Sequence, residues 1–598
     1  MKVNSRGDSQ GHYNGSYQTL VLTFSFIFGL ANLENRPNLR TSNLRFQLGA
    51  KQISDPNSRF DRERDISAGC QADLKTRTLG SIEREMGRLS IAVVVLLWSL
   101  PISILFNYIV PDAYMDEIFH LPQAQKYCNG DFRSWDPMIT TLPGLYYLSL
   151  AYVGFIYPVM WFAGIASSYG ELCTTLILRS MNCALAVICS LLFYCILRHM
   201  RPGVDERRAT LCTLVVTLYP IHWFFTFLYY TDVASTAAVL AMYLASLKGS
   251  YWFSAVFGAL AILVRQTNVV WLFFVASTGA ISYAESLYEK DNIQYGDCTL
   301  SIERYTKFIV RGKSTGLKLR KRKVGGSMNT TTISPTGTYT PSSTSSSSCY
   351  GLLCEFWGIS MKLWSFKWEV LVAYAPFLVL FAAFGTFVVW NGSLVVGAKE
   401  AHTASFHLVQ LPYFGLVSAA AMAPVHFNLG QAVILYRAFQ KDKFYYLVLG
   451  SLALAAGFLS VHFFSIAHPY LLADNRHYTF YIWRKVIHAH WLMKYLLVPL
   501  YVYSWFSIFN ILGKSRKTIW VLLYFFSCAA VLVPAPLIEF RYYNIPFFFL
   551  VLHSPIDDSW KWFIMGIQFV IVNIFTIMMF LFRPFHWEHE QGTQRFLW

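Results

Sequence analysis

From Leu89 to the C-terminus, apolar runs alternate with short polar segments in a repeating block pattern. A helix needs about 20 mostly apolar residues to cross a bilayer, and many of these runs reach that length. The pattern predicts spans at about 89–110, 176–198, 209–229, 232–248, 251–266, 268–285, 368–390, 411–432, 444–466, 492–512, 518–536 and 560–583. The expected fold class is therefore an all-α polytopic membrane protein with about 12 transmembrane helices. Two further apolar segments, 143–163 and 540–553, are ambiguous, and 143–163 is interrupted by Gly144, Gly154 and Pro158.

Basic residues orient the chain. Arg84 and Arg88 precede the first span, which puts that end in the cytosol and the Asp116 loop on the far side. Arg198, Arg201, Arg207 and Arg208 mark another cytosolic loop. One crossing between them and Asp116 suffices, so 143–163 is expected as a juxtamembrane element on the Asp116 side. Arg265-Gln266-Thr267-Asn268 interrupts a long apolar run. An arginine at the centre of one helix would cost about 2.5–3.5 kcal/mol on insertion scales, so two short helices with a far-side tip are expected.

The polar segments divide the chain. Residues 1–85 read as a poorly ordered cytosolic extension, and 86–285 as an N-terminal membrane module with its first far-side loop at 111–142. Residues 286–366 hold a basic stretch, Lys313 to Lys323, and a Ser/Thr tract, and read as a disordered cytosolic loop. Residues 367–598 form a C-terminal membrane module with a far-side loop at 467–491. The composition agrees: 55% of residues are apolar and 14% charged. The net charge of +16 is spread over loops between spans, which fits positive-inside topology and not nucleic-acid binding. The eleven cysteines lie mostly within apolar runs and form no C-x-x-C pair. They read as small core residues, implying neither a disulfide framework nor a zinc site.

This topology gathers 111–142, 265–268, 391–410, 467–491 and 537–559 on one side. The first of these loops carries Asp116, Glu117, His120, Trp135 and Asp136 at a membrane–water boundary. A carboxylate there can serve as a general base toward a lipid-borne substrate, or it can simply be a solvated cap. Being adjacent, Asp116 and Glu117 point in different directions, so one can face a substrate while the other holds the loop. Asp474, Arg476, His477 and Tyr478 mix charge with aromatic surface, suited to a phosphate and a sugar face or to an interfacial belt. Arg265 and Arg541 are further phosphate-binding candidates, and Asp232 is a further far-side acid or a helix cap. The sequence contains no Walker loop, G-x-G-x-x-G unit, H-E-x-x-H or D-x-D pair, so any glycosyl donor is expected to be a lipid phosphate and not a nucleotide sugar. Asn391-Gly392-Ser393 matches the N-glycosylation sequon.

Tyr114–Tyr127, Trp135–Gly144, Phe227–Thr231, Arg265–Asn268, Leu471–Trp483, Lys494–Pro499, Glu539–Tyr542 and Gln594-Arg595-Phe596-Leu597-Trp598 together resemble the eukaryotic dolichyl-phosphate-glucose-dependent α-1,2-glucosyltransferases. The similarity runs in order from about residue 100 onward. It implies a GT-C-type glycosyltransferase of the endoplasmic-reticulum membrane with lumenal loops forming the site. The donor would be dolichyl phosphate glucose (dolichyl β-D-glucosyl phosphate). The acceptor would be the dolichyl-diphosphate-linked oligosaccharide Glc2Man9GlcNAc2, which receives its terminal glucose. Asp116 stands where the family places its catalytic base, with Glu117 the second choice. Arg476, His477, Arg541 and Arg265 are expected to bind the donor phosphate. His120, Trp135, Asp136, Asp474 and Tyr478 are expected to contact substrate, and the resemblance implies no metal and no cofactor. The partners would otherwise be membrane lipids. Competing readings are a lipid-linked sugar transporter, or flippase, and a non-catalytic membrane regulator.

Overall fold

The computed structural model describes residues 57–311, 352–399, 405–465, 468–556, 558–588 and 590–598, without the side chains of 57–82, 293–311, 470, 590 and 591. The expected extension up to residue 56 and the basic and Ser/Thr stretches within 312–351 lie outside the described residues.

Among the described residues, eight helices are long and apolar enough to cross a membrane: Glu83–Ile109, Gly144–Phe162, Thr175–Met200, Asn268–Asn292, Lys367–Asn391, Lys443–Phe463, Met493–Ser515 and Ser559–Phe582. Three shorter apolar helices, Thr231–Leu247, Tyr251–Val264 and Thr518–Leu532, complete the apolar set. Two expected spans are broken. The 209–229 run divides into Glu206–Thr217 and Pro220–Phe225, because Pro220 supplies no N–H and forces Tyr219 out of helical geometry. The 411–432 run divides at Met422 into Gln410–Ala421 and Ala423–His426, with Pro424 starting the second piece.

Elsewhere there is more helix than expected. The first helix is continuous from Asn57 to Ile109, so the described part of the 1–85 extension is helical. The helix that begins at Asn268 runs to Arg311, and Leu352–Ser365 is also helical, so the described parts of 286–366 are not a structureless loop. No proline falls between 286 and 311, and Glu285 ties the two helices to the bundle through Lys362 and Lys517.

The core is built on Thr231–Leu247, which packs against Thr175–Met200 and Tyr251–Val264. It is rich in small residues, including Ala234, Ser235, Ala237 and Ala238, all buried. Lipid tails are as apolar as leucine, so close packing and not apolar transfer holds such helices together. The buried helix Asn544–His553 adds an aromatic layer, with Phe547 stacked on Tyr219 at 4.0 Å and Phe549 on Trp271 at 5.2 Å.

The chain breaks between Val264 and Asn268, as expected, and this tip meets the loop 111–142. Gln266 Nε2 donates to the Thr140 carbonyl at 2.9 Å, and a Cβ on Gly144 would overlap the Leu263 backbone. That close approach accounts for a glycine at the end of the Trp135–Gly144 segment. A disulfide joins Cys128 to Cys173, with Cα atoms 6.5 Å apart, and corrects the expectation that the cysteines are only small core residues. Cys128 and Cys173 are buried like Cys183, Cys189 and Cys212, but they sit at the ends of short helices and not within a long apolar run, 45 residues apart in sequence. Near the C-terminus, Phe585–Trp587 and Glu590–Gln594 form an antiparallel pair, and Leu597 then bridges to His477 in parallel.

Candidate active site

Asp116 follows a sharp reversal at Met115, whose φ of +56° lies in the left-handed region that a non-glycine residue seldom adopts. This turn sets Asp116 at the start of the helix Glu117–Cys128 and sends the two neighbouring carboxylates apart. The Asp116 amide donates to the Tyr230 hydroxyl at 3.2 Å, and its Oδ2 accepts from Arg541 Nη1 at 2.7 Å. Its side chain remains 41% exposed, against 12% for Arg541. Burial alone would raise the Asp116 carboxyl, but the Arg541 guanidinium, helped by His120 and His477, holds it below the usual carboxylate range. The carboxylate is thus ionised and half-open.

Glu117 has the opposite fate. It is wholly buried and paired with an equally buried Arg179, whose Nε and Nη2 reach Oε1 and Oε2 at 2.9 and 2.6 Å. The amides of Tyr229 and Tyr114 donate to the same two oxygens. Four donors fill the acceptor sites of the carboxylate, so Glu117 holds the loop and is no base. Arg179 also donates to the carbonyls of Val110 and Asp112 at 2.6 and 2.9 Å, fixing the exit from the first span. A charge inside the apolar run 176–198 must find a partner, a signal in the sequence that could have marked Arg179 but not the residue it meets.

Arg541 is shared. Its Nε and Nη2 donate to Glu539 Oε2 at 3.2 and 2.9 Å, and its guanidinium lies over the rings of Tyr230 and Phe225. With Nη1 given to Asp116, two of its five N–H donors are left for a ligand. Arg265 donates to Thr231 Oγ1 at 3.1 Å and pairs with both oxygens of Asp232, so Asp232 is an ion-pair partner and not a side-chain helix cap. A cavity runs between these arginines, lined also by Ser235, Thr236, Asn268 and Asn544. The Asn544 amide oxygen is buried there without a hydrogen-bond partner.

His120 lies one turn beyond Asp116 and meets the Tyr146 hydroxyl at 2.7 Å through Nδ1. Burial, despite Asp116 beside it, pushes its pKa down to about 4, so the ring is neutral at physiological pH. Trp135 packs edge-on to Tyr146 at 5.8 Å, and Asp136 acts on the charge of His120 while capping the Met138 amide. Asp474 and Arg476 are committed to each other by two bonds of 2.9 and 2.8 Å, and Arg476 also reaches Gln594 and lies over Trp587. Tyr478 packs against Trp598 at 5.1 Å. The structure therefore brings Asp116, His120, His477 and Arg541 together, with Arg265 behind them, and places Glu117, Asp474, Arg476 and Tyr478 in supporting contacts. Among the described residues, no group of three His, Cys, Asp or Glu is placed to hold a metal ion.

Fold and site define a multi-pass, all-α membrane protein with a half-open carboxylate–arginine centre built from loops between the helices. Residues 110–552 match the DIE2/ALG10 family, and the chain belongs to it. A protein of Arabidopsis thaliana named Dol-P-Glc:Glc(2)Man(9)GlcNAc(2)-PP-Dol alpha-1,2-glucosyltransferase is 51% identical to it, over 86% of this chain and all of that protein. Proteins of the same name from Mus musculus and Homo sapiens are 33% and 32% identical, each over 82% of this chain and 94% of theirs. No solved structure matches the chain.

Proposed function

We propose that this protein is a dolichyl-phosphate-glucose-dependent α-1,2-glucosyltransferase. It transfers the third, terminal glucose from dolichyl β-D-glucosyl phosphate to Glc2Man9GlcNAc2 on dolichyl diphosphate, completing the lipid-linked precursor of protein N-glycosylation. The names of its relatives support the substrates. A lumenal site in the endoplasmic-reticulum membrane is supported by the Cys128–Cys173 disulfide, since such bonds persist in oxidising compartments. That bond joins the end of Glu117–Cys128 to the residues just before Thr175–Met200, and Val153, Tyr157 and Met160 of Gly144–Phe162 pack in the same cluster, which favours a helix lying on that side over one that crosses.

The observation that carries the mechanism is the ionised, half-exposed Asp116 beside Arg541. A β-linked donor and an α-linked product require one inversion, hence one in-line displacement. Asp116 takes the proton from the 2-hydroxyl of the acceptor's terminal glucose as that oxygen attacks the anomeric carbon. The carbon–oxygen bond to phosphate breaks, and dolichyl phosphate leaves with the electron pair. Arg541, Arg265 and His477 meet the growing negative charge on the phosphate oxygens. A phosphate bound to the remaining N–H groups of Arg541 weakens its hold on Asp116, so donor binding restores basicity to the carboxylate. Neutral His120, with Trp135 and Asp136, offers a polar and aromatic edge for the acceptor sugar.

Purified protein given both lipids should yield a heavier oligosaccharide bearing one new α-1,2-linked glucose. Movement of either lipid across a vesicle membrane with its mass unchanged would instead establish a flippase.

A further inference from the structure

Residues 585–598 are tied to three separate parts of the site. The Tyr114 hydroxyl accepts from the Arg595 amide at 2.7 Å and donates to the Arg595 carbonyl at 2.8 Å, two residues from Asp116. The Leu597 amide donates to the Arg476 carbonyl at 3.0 Å, and the Leu597 carbonyl accepts from the Tyr478 amide at 3.1 Å, on either side of His477. His477 Nδ1 meets the Trp598 carbonyl at 3.2 Å, and the Trp598 ring packs 6.0 Å from Phe540, the neighbour of Arg541. The segment is itself fastened to the bundle, since Arg595 Nη1 donates to the Phe580 and Leu581 carbonyls at the end of the last long helix. Leu597 and Gln594 are 2% and 5% exposed, so this is packed chain and not a loose tail.

The three loops it joins carry Asp116, His477 and Arg541, with Asp116 hundreds of residues before the other two and His477 and Arg541 separated by further helices. Ordering an extended segment costs conformational entropy, and helices that insert and pack on their own gain little from it. Most of its bonds go to backbone and hydroxyl groups beside the site side chains, and two more hold the His477 ring and the Arg476 guanidinium directly, so what it fixes is register and orientation. We infer that residues 594–598 are a positioning strap that holds the Asp116 loop against the His477 loop and thereby sets the geometry for transfer. This rests on the assignment of Asp116 as base.

The test is made on the full chain, with Tyr114→Phe and Leu597→Pro measured beside Asp116→Asn. Tyr114→Phe removes one oxygen and keeps the ring against Phe580, 5.7 Å away, so it remains decisive if Leu597→Pro does not accumulate. The strap predicts that kcat per folded molecule falls about tenfold to a hundredfold, the scale expected when a reacting group is misplaced by about 1 Å. KM for both lipids should change little, the thermal midpoint should hold, and amide exchange should quicken at 112–117 and 474–480. Tyr114→Phe with kcat within about twofold of the parent would overturn the strap while leaving Asp116 as base, provided Asp116→Asn is inactive. An active Asp116→Asn would overturn the base as well. A kcat loss that merely follows loss of folded protein would also overturn the strap, leaving only a structural role.

Discussion

Asp116 and Glu117 are neighbours in one loop, yet one carboxylate is sealed and the other is left open. Glu117 is fully buried, has four hydrogen-bond donors and faces an arginine that is equally buried. Asp116 has one arginine, which it shares with Glu539, and keeps 41% of its side chain exposed. The chemistry of the two groups is nearly the same, and their surroundings decide what each does. A carboxylate whose acceptor sites are all filled cannot approach a substrate proton, so it serves as an anchor. One with an open face and a shared counter-charge can.

The contrast should break most visibly at the anchor. Removing one partner of a buried ion pair leaves the other uncompensated, at about 3–5 kcal/mol. Glu117→Ala should therefore lower the thermal midpoint sharply and reduce folded protein, with activity lost in proportion. Arg541→Gln should do less to stability, about 1–3 kcal/mol for the bonds left unmade at Glu539. Its larger effect is on pH dependence. Arg541 holds the Asp116 carboxyl below its ordinary range against burial, which acts to raise it. Without the guanidinium the carboxyl rises, so the acid limb of kcat/KM should move to higher pH, and KM for the donor should increase. An unmoved acid limb would separate Asp116 from Arg541.

The same contrast shows how far the sequence could be read. Hydropathy located the polar segments that converge, because insertion energetics are written residue by residue. It located the Arg265–Asn268 break for the same reason. It could not separate Asp116 from Glu117, since the difference comes from the turn at Met115 and from Arg179 and Tyr229, which lie far along the chain. Arg476 looked like a phosphate ligand because its partners Asp474 and Gln594 are recognisable only in three dimensions. The Cys128–Cys173 bond was hidden by cysteines that mostly sit in apolar runs. The helix breaks near Pro220 and Pro424 were legible as single residues but were outweighed by unbroken hydrophobicity around them.

The central claim is that Asp116 takes the proton, and Asp116→Asn in purified protein supplied with both lipids tests it. The carboxylate that the substitution neutralises is 41% exposed, and the largely buried Arg541 keeps Glu539 as its counter-charge, so folding should be little changed. Loss of the base should slow glucose transfer by about a hundredfold to ten-thousandfold. A normally folded Asp116→Asn protein that still makes the glucosylated lipid at close to the parent rate would contradict it.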